Sequence, residues 1–308
     1  MPVNIGTEKF SHFGECCKLS NGTIEVFVTK EMGPRVIGYR FVGGANILAE
    51  LSLDTKVSHR YGDWRPMGGH RLWHAPEVLP RSYWPDNEPV EVEVIGDDSV
   101  RFVPPPETGV CIQKAVTVSL EPEGTGVVII HEVSNIGVWP IELAPWALSI
   151  MKGGGMAIIP QEEWVSHDDY LLPARPLVMW HFTDLTDSRL RLGKKYICLS
   201  TDSAKQNQPN KIGVANTREW AAYYRQGTLF VKRFPYCDCC DFPDMGCNCE
   251  VYTDGDFIEV ESLGSLTDLE PGETAEHYET WHLFQNVNIG DTEESLDAAI
   301  TPLIEETE

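Results

Sequence analysis

Long apolar runs are missing from this 308-residue chain, and so is any excess of basic charge. No hydrophobic stretch approaches the roughly 20 residues that a membrane-spanning helix needs, so no span is expected. The N-terminal MPVNIGTEKFSHFGECCKL lacks the apolar core of a secretory signal, which makes the cytoplasm the expected location. Only 24 lysines and arginines stand against 47 aspartates and glutamates, for a formal net charge of −23. Nucleic-acid backbones and anionic membrane surfaces would repel such a chain, so neither is expected as a partner. Helical periodicity is equally scarce. It surfaces only at the C-terminus, where Asp291 can cap, Glu294 sits at capping-box distance, and Leu296, Ala299, Ile300 and Leu303 share a face. One short helix is therefore expected near 291–304.

What is present is strand signal, with 42% hydrophobic residues and 10% aromatics to fill a core. TIEVFVT from Thr23, VEVEVI from Val90 and the apolar run through Trp146 are bounded by glycine, proline and asparagine turns. About fifteen short strands at hairpin spacing predict an all-β, antiparallel sandwich or barrel. No composition break or linker divides it, so residues 1–308 are read as a single domain.

One stretch stands apart. Residues 62–90 read GDWRPMGGHRLWHAPEVLPRSYWPDNEPV, with three tryptophans, two histidines, three arginines and five prolines. No periodicity runs through it, and it predicts a long ordered loop of the kind that carries function. Aromatic faces beside Arg, His and Asn suit a sugar, whose apolar face stacks while its hydroxyls hydrogen-bond. The candidates here are His70, Arg71, Trp73, His74, Glu77, Arg81, Asp86 and Asn87. A second irregular segment, 161–191, holds Trp164, His167, Asp168, Asp169, Tyr170, Arg175, Trp180 and His181.

Further along, Glu259 and Glu261 lie two apart on an alternating strand, so they share a face and repel. A raised carboxyl pKa is what a general base near neutral pH needs. Lys211, Lys232 and Arg233 could converge on an anionic sugar such as a uronate. Five of the nine cysteines crowd into 237–249. The i, i+2 pairs Cys237/Cys239 and Cys247/Cys249 suit thiolates meeting on one structural zinc. No other cofactor is expected.

The motifs GGHRLWHAPE at 68–77, PDN at 85–87, LAPW at 143–146, KIG at 211–213 and FVKR at 230–233 carry a family resemblance. So do EVYT at 250–253, IEVESLG at 258–264 and LEPGE at 269–273. Together they resemble the galactose mutarotase-like (aldose 1-epimerase-like) superfamily, and more narrowly a branch known only as a domain of unknown function. The resemblance implies a β-supersandwich and a mono- or oligosaccharide ligand. It also implies that Glu261, ahead of the LEPGE turn, is the base of an aldose 1-epimerase and Arg71 the substrate anchor. Mutarotases carry their acid histidine on the strand where this chain has Trp146. His70 or His74 is the expected substitute, in one pocket with an aromatic wall from Trp73, Trp146 or Trp220. Two rivals stay open. One is β-elimination from a uronate, with Lys232 or Arg233 neutralising the carboxylate. The other is a carbohydrate-binding module without catalysis.

Overall fold

The computed structural model describes residues 2–308. Nearly every regular element is an antiparallel strand, and the strands gather into one sheet of eleven, one of ten and a small hairpin, Val57–His59 with Gly62–Trp64. The larger sheet runs through Ile24–Thr29, Val36–Phe41, Gly69–Ala75, Ile141–Lys152, Phe257–Leu263, Cys249–Thr253 and Asn210–Val214, in that spatial order. The smaller centres on Trp220–Arg225, Thr228–Arg233, Thr274–Phe284, Val127–Asn135 and Ile112–Leu120. Among the described residues no helix is long and apolar enough to cross a membrane.

Inner faces of the two sheets meet in one core. Tyr39 of the larger sheet packs its ring 5.8 Å from Trp281 and 6.1 Å from Phe230 of the smaller, and all three are buried. Because side chains alternate along a strand, each strand of the larger sheet also presents an outer row. On Phe257–Leu263 the residues Ile258 and Val260 join the core while Glu259 and Glu261 point outward. On Gly69–Ala75, Leu72 points inward and Arg71 and Trp73 outward.

Two expectations change here. The stretch 62–90 is not loop throughout, because Gly69–Ala75 is a strand in the middle of the larger sheet, buried along its whole length. A strand covered on both faces shows no polar–apolar alternation, and here His70 and Arg71 take protein partners rather than solvent. The positive φ of Gly68 (+87°) and Gly69 (+65°) lets the chain enter it, with a Cβ at Gly68 meeting the Ala49 carbonyl oxygen at 2.2 Å. The C-terminal helix is Glu293–Glu305, and its cap is Thr292 rather than Asp291. Thr292 and Ser295 exchange the two hydrogen bonds of a capping box.

That helix buries Leu296, Ile300 and Ile304 against Trp220, Leu229 and Val231 on the outer face of the smaller sheet. Ile300→Ala should therefore cost about 2–5 kcal/mol by leaving a cavity. Urea unfolding of the variant measures this directly, and a loss below about 1 kcal/mol would show the helix to be an appendage.

Candidate saccharide cleft

The outer face of the larger sheet carries a cleft of about 710 Å³. Its floor is built from five neighbouring strands. Register sets Arg71 opposite Leu148, Leu148 opposite Glu261 and Glu261 opposite Glu250. One step along, Glu259 faces Tyr252, and Tyr252 faces Lys211. Loops and the small hairpin supply the walls. Trp64 and Tyr83 come from the 62–90 stretch, and their rings form a continuous aromatic stack with Trp73 and Trp146 at centroid spacings of 4.7 to 5.4 Å. Trp180 and Phe182 come from the second irregular segment. Trp180 is fixed because its backbone N–H donates to Thr183 Oγ1 (2.9 Å), which itself donates to the Lys211 carbonyl.

The floor is a charge-compensated network. Arg71 Nη2 donates to Glu259 Oε1 at 3.3 Å, and its guanidinium lies 4.4 Å from the Trp73 ring centroid. Lys211 Nζ is 2.7 Å from Glu250 Oε2 and 3.0 Å from Glu261 Oε2, while the rings of Trp146 and Trp180 sit 4.8 and 4.7 Å away. Burial alone would lower the Lys211 pKa, but Glu250 and Glu261 carry it above its ordinary value, so the ammonium stays charged. Burial raises Glu259, with Glu261 adding repulsion and Arg71 pulling back. Burial raises Glu250 well above the carboxylate range against the pull of Lys211. A carboxyl whose pKa is raised above its usual range is suited to acid–base work.

Of the two glutamates of the alternating strand, Glu259 reaches the cleft wall, at 9% exposed. Glu261 is shut beneath it, where Oε2 accepts from Trp146 Nε1 (2.9 Å) and from Lys211. Arg71, Trp73, Glu77 and Trp146 line the cleft as well, Glu77 accepting a hydrogen bond from the Tyr83 hydroxyl.

The remaining candidates lie elsewhere. His70 and His74 alternate with Arg71 and Trp73 and therefore point into the core, which removes both from the acid role in this cleft. Arg81 donates to the Pro76 carbonyl, Asp86 pairs with Arg35, and Asn87 donates to the Asp63 carbonyl at 2.6 Å. Trp220 packs under the C-terminal helix. Lys232 points into the core, and Arg233 donates to the Ile304 carbonyl at 2.8 Å. Lys211 alone of the three expected cations enters the cleft. The thiols of Cys237, Cys239, Cys247 and Cys249 do not converge. Cys237 is disulfide-bonded to Cys240 with Cys239 Sγ 3.2 Å away, while Cys247 and Cys249 are buried free thiols. The loop 237–240 reverses on a Cys240 N–H to Cys237 carbonyl bond, which brings these three sulfurs together instead.

Sequence reasoning missed Trp64, Tyr83, Phe182, Tyr252 and Glu250. Glu250 and Tyr252 had a signal, since residues two apart in EVYT share a face just as Glu259 and Glu261 do.

The inward-pointing residues build a polar knot between the sheets. His131 Nδ1 lies 3.0 Å from the His277 carbonyl and must donate to it, leaving Nε2 as an acceptor. His70 Nε2, 2.7 Å away, then donates, and His70 Nδ1 accepts from Ser149 Oγ at 2.9 Å. Glu279 accepts from Lys232 (2.8 Å), from Trp281 Nε1 (2.8 Å) and from Ser262, whose hydroxyl also meets His277 Nε2 at 2.7 Å. Burial holds His70 and His131 below the ordinary histidine range and takes His277 to about 3. A histidine whose folded pKa is depressed contributes stability above its unfolded pKa of about 6.5 and loses it as pH falls toward the folded value. Each ring should therefore remove about 1.4 kcal/mol per pH unit below about pH 6.5. Urea unfolding at about pH 7.5 and about pH 5 tests this, and equal stability at both would contradict neutral buried rings.

No family model and no curated protein matches the sequence. Solved structures do match. A TPR-domain containing protein from Parabacteroides distasonis ATCC 8503 aligns with a TM-score of 0.59 at 14% identity. The alignment takes in 90% of this chain and 48% of that one, so this chain spans about half of that protein's length. A galactose mutarotase-like protein from Lactobacillus casei ATCC 334 gives 0.55 at 10% identity, covering 87% of this chain and 100% of the other. Another from Clostridium acetobutylicum gives 0.54 at 12% identity, covering 92% and 99%. At such identities the likeness speaks for architecture, and the chain has the galactose mutarotase-like fold.

Proposed function

We propose that the cleft binds a neutral saccharide and performs aldose 1-epimerase-like acid–base chemistry on it. The observation that carries this reading is the Arg71–Glu259 pair set into an aromatic-walled cleft on the outer sheet face. Aromatic rings at Trp73, Trp146 and Trp180 match the apolar face of a pyranose, and the charged groups match its hydroxyls. Glu259 is the group that reaches the cleft, so it takes the anomeric hydroxyl proton in place of Glu261. Glu261 acts through Lys211 and Trp146 as a positioning residue. Directly opposite Glu259 stands Tyr252, whose phenol burial keeps protonated, and it is the donor placed to serve the ring oxygen.

Charge argues against the uronate reading. Both cations of the cleft are already engaged by carboxylates, and Glu77, Asp254 and Asp256 add negative charge along the lining. Lys232 and Arg233 are too far into other parts of the molecule to neutralise a substrate carboxylate.

Exchange NMR between the anomers of glucose, galactose and other neutral aldoses provides the test. The wild type is expected to speed interconversion. Glu259→Gln should lower turnover by about 10²-fold or more at nearly unchanged sugar affinity, since it keeps the shape and removes the base. Sugar binding without anomer exchange in the wild type would leave the non-catalytic module as the correct reading.

A further inference from the structure

A second cavity lies on the other side of Trp73, at the mouth between the two sheets. Its volume is about 290 Å³, at the small end of the range of roughly 300–1,000 Å³ usual for ligand pockets. Its deep wall is Leu72 and Val116, which belong to the shared core. Trp84 and the prolines at 34, 85 and 104–106 make up the rest of its apolar lining.

The polar lining consists of two ion pairs, one from each sheet. Arg35, at the entry to the strand Val36–Phe41, pairs with Asp86 and donates from Nη1 to the Pro34 carbonyl at 3.0 Å. Lys114, on Ile112–Leu120 of the smaller sheet, lies 2.6 Å from Glu107 Oε1. Arg35 and Glu107 are each more than nine-tenths buried. Arg35 Nε and Nη2, Asp86 Oδ1 and Glu107 Oε2 are buried with no hydrogen-bond partner among the described residues. Arg35, Asp86 and Glu107, which line the cavity beside the Trp84 indole, thus carry between them two unpaired donor nitrogens and two unpaired acceptor oxygens.

Those valences select a ligand class. Each charge is already neutralised within its own pair, so an anion would have to displace Asp86 and a cation would have to displace Arg35 or Lys114. A hydroxyl donates and accepts at once, and a ring bearing several of them satisfies both kinds of vacancy without disturbing either pair. The C–H face of such a ring suits Trp84. We propose that this cavity is a binding site for a small neutral polyol of monosaccharide or cyclitol size, separate from the outer cleft and sharing Trp73 with it as a common wall. The proposal does not rest on the reading of the cleft.

The test combines crystals of the full chain soaked in myo-inositol or glucose with calorimetric titrations of the same two polyols. The expected result is ring density against Trp84 bridging Arg35 and Glu107. Trp84→Ala should weaken this binding by tenfold or more. Where that variant fails to fold, the double variant Glu107→Met/Lys114→Met serves instead. Replacing a whole buried ion pair by apolar residues of similar length is often neutral for stability, while it removes the acceptor. Trp180→Ala, which strips a wall from the outer cleft only, should leave this binding unchanged. Ordered water alone in the cavity at saturating polyol would overturn the proposal. So would polyol binding that both cavity variants retain and Trp180→Ala abolishes, an outcome that leaves the outer cleft intact as a sugar site. A parallel soak and titration with glycine, a zwitterion of similar polarity, is expected to show no binding, and glycine occupying the cavity in place of either polyol would overturn the ligand class.

Discussion

Three glutamates on one face of a sheet cannot all be ionised out of water without cations between them, and that constraint organises the cleft. Glu250, Glu259 and Glu261 stand on two adjacent strands, and Arg71 and Lys211 arrive from strands on either side. Removing one partner of such a network strands a buried charge, which is typically far more costly than replacing the whole set. The aromatic rings complete the arrangement. Trp146 and Trp180 flank the Lys211 ammonium and exclude the water that would otherwise screen it. Arg71 Nε and Nη1, on a residue that lines the cleft, stay without a hydrogen-bond partner, as do Glu261 Oε1 and Glu250 Oε1 beneath it.

Strand alternation divides the chemistry of the larger sheet between its two faces. In seven residues, Gly69–Ala75 sends Arg71 and Trp73 to the cleft and His70 and His74 to the interior. His70 is locked by bonds to Ser149 and His131 that leave it a defined tautomer, whereas both ring nitrogens of His74 are buried without a hydrogen-bond partner among the described residues. The same fold in other proteins sets the scaffold, while the chemistry has to be read from side chains at each position.

Much of the fold was legible because turn residues and apolar strands recur at hairpin spacing, and those are local signals. The alternation of Glu259 and Glu261 and the aromatic density of 62–90 also pointed to the sheet face that carries the cleft. The illegible part was depth. Nothing in GGHRLWHAPE reveals that it is covered on both sides, and a doubly buried strand that carries polar residues reads like a loop. Glu259 and Glu261 look equivalent in sequence, yet the indole of Trp146 closes over one and leaves the other at the wall. The cysteines show a related limit: spacing said which sulfurs could meet, while the tight turn at 237–240 brings Cys237, Cys239 and Cys240 together.

The central claim is that the cleft floor holds an ionised Arg71–Glu259 pair with a carboxyl tuned above its ordinary range. Site-resolved carbon NMR of the side-chain carboxyls across a pH titration measures that directly. The account expects Glu259 and Glu250 to titrate above the usual glutamate value of about 4.3, and the Glu259 transition to move when Arg71 is replaced by methionine. Both groups titrating at or below that value, with Glu259 indifferent to Arg71, would contradict it.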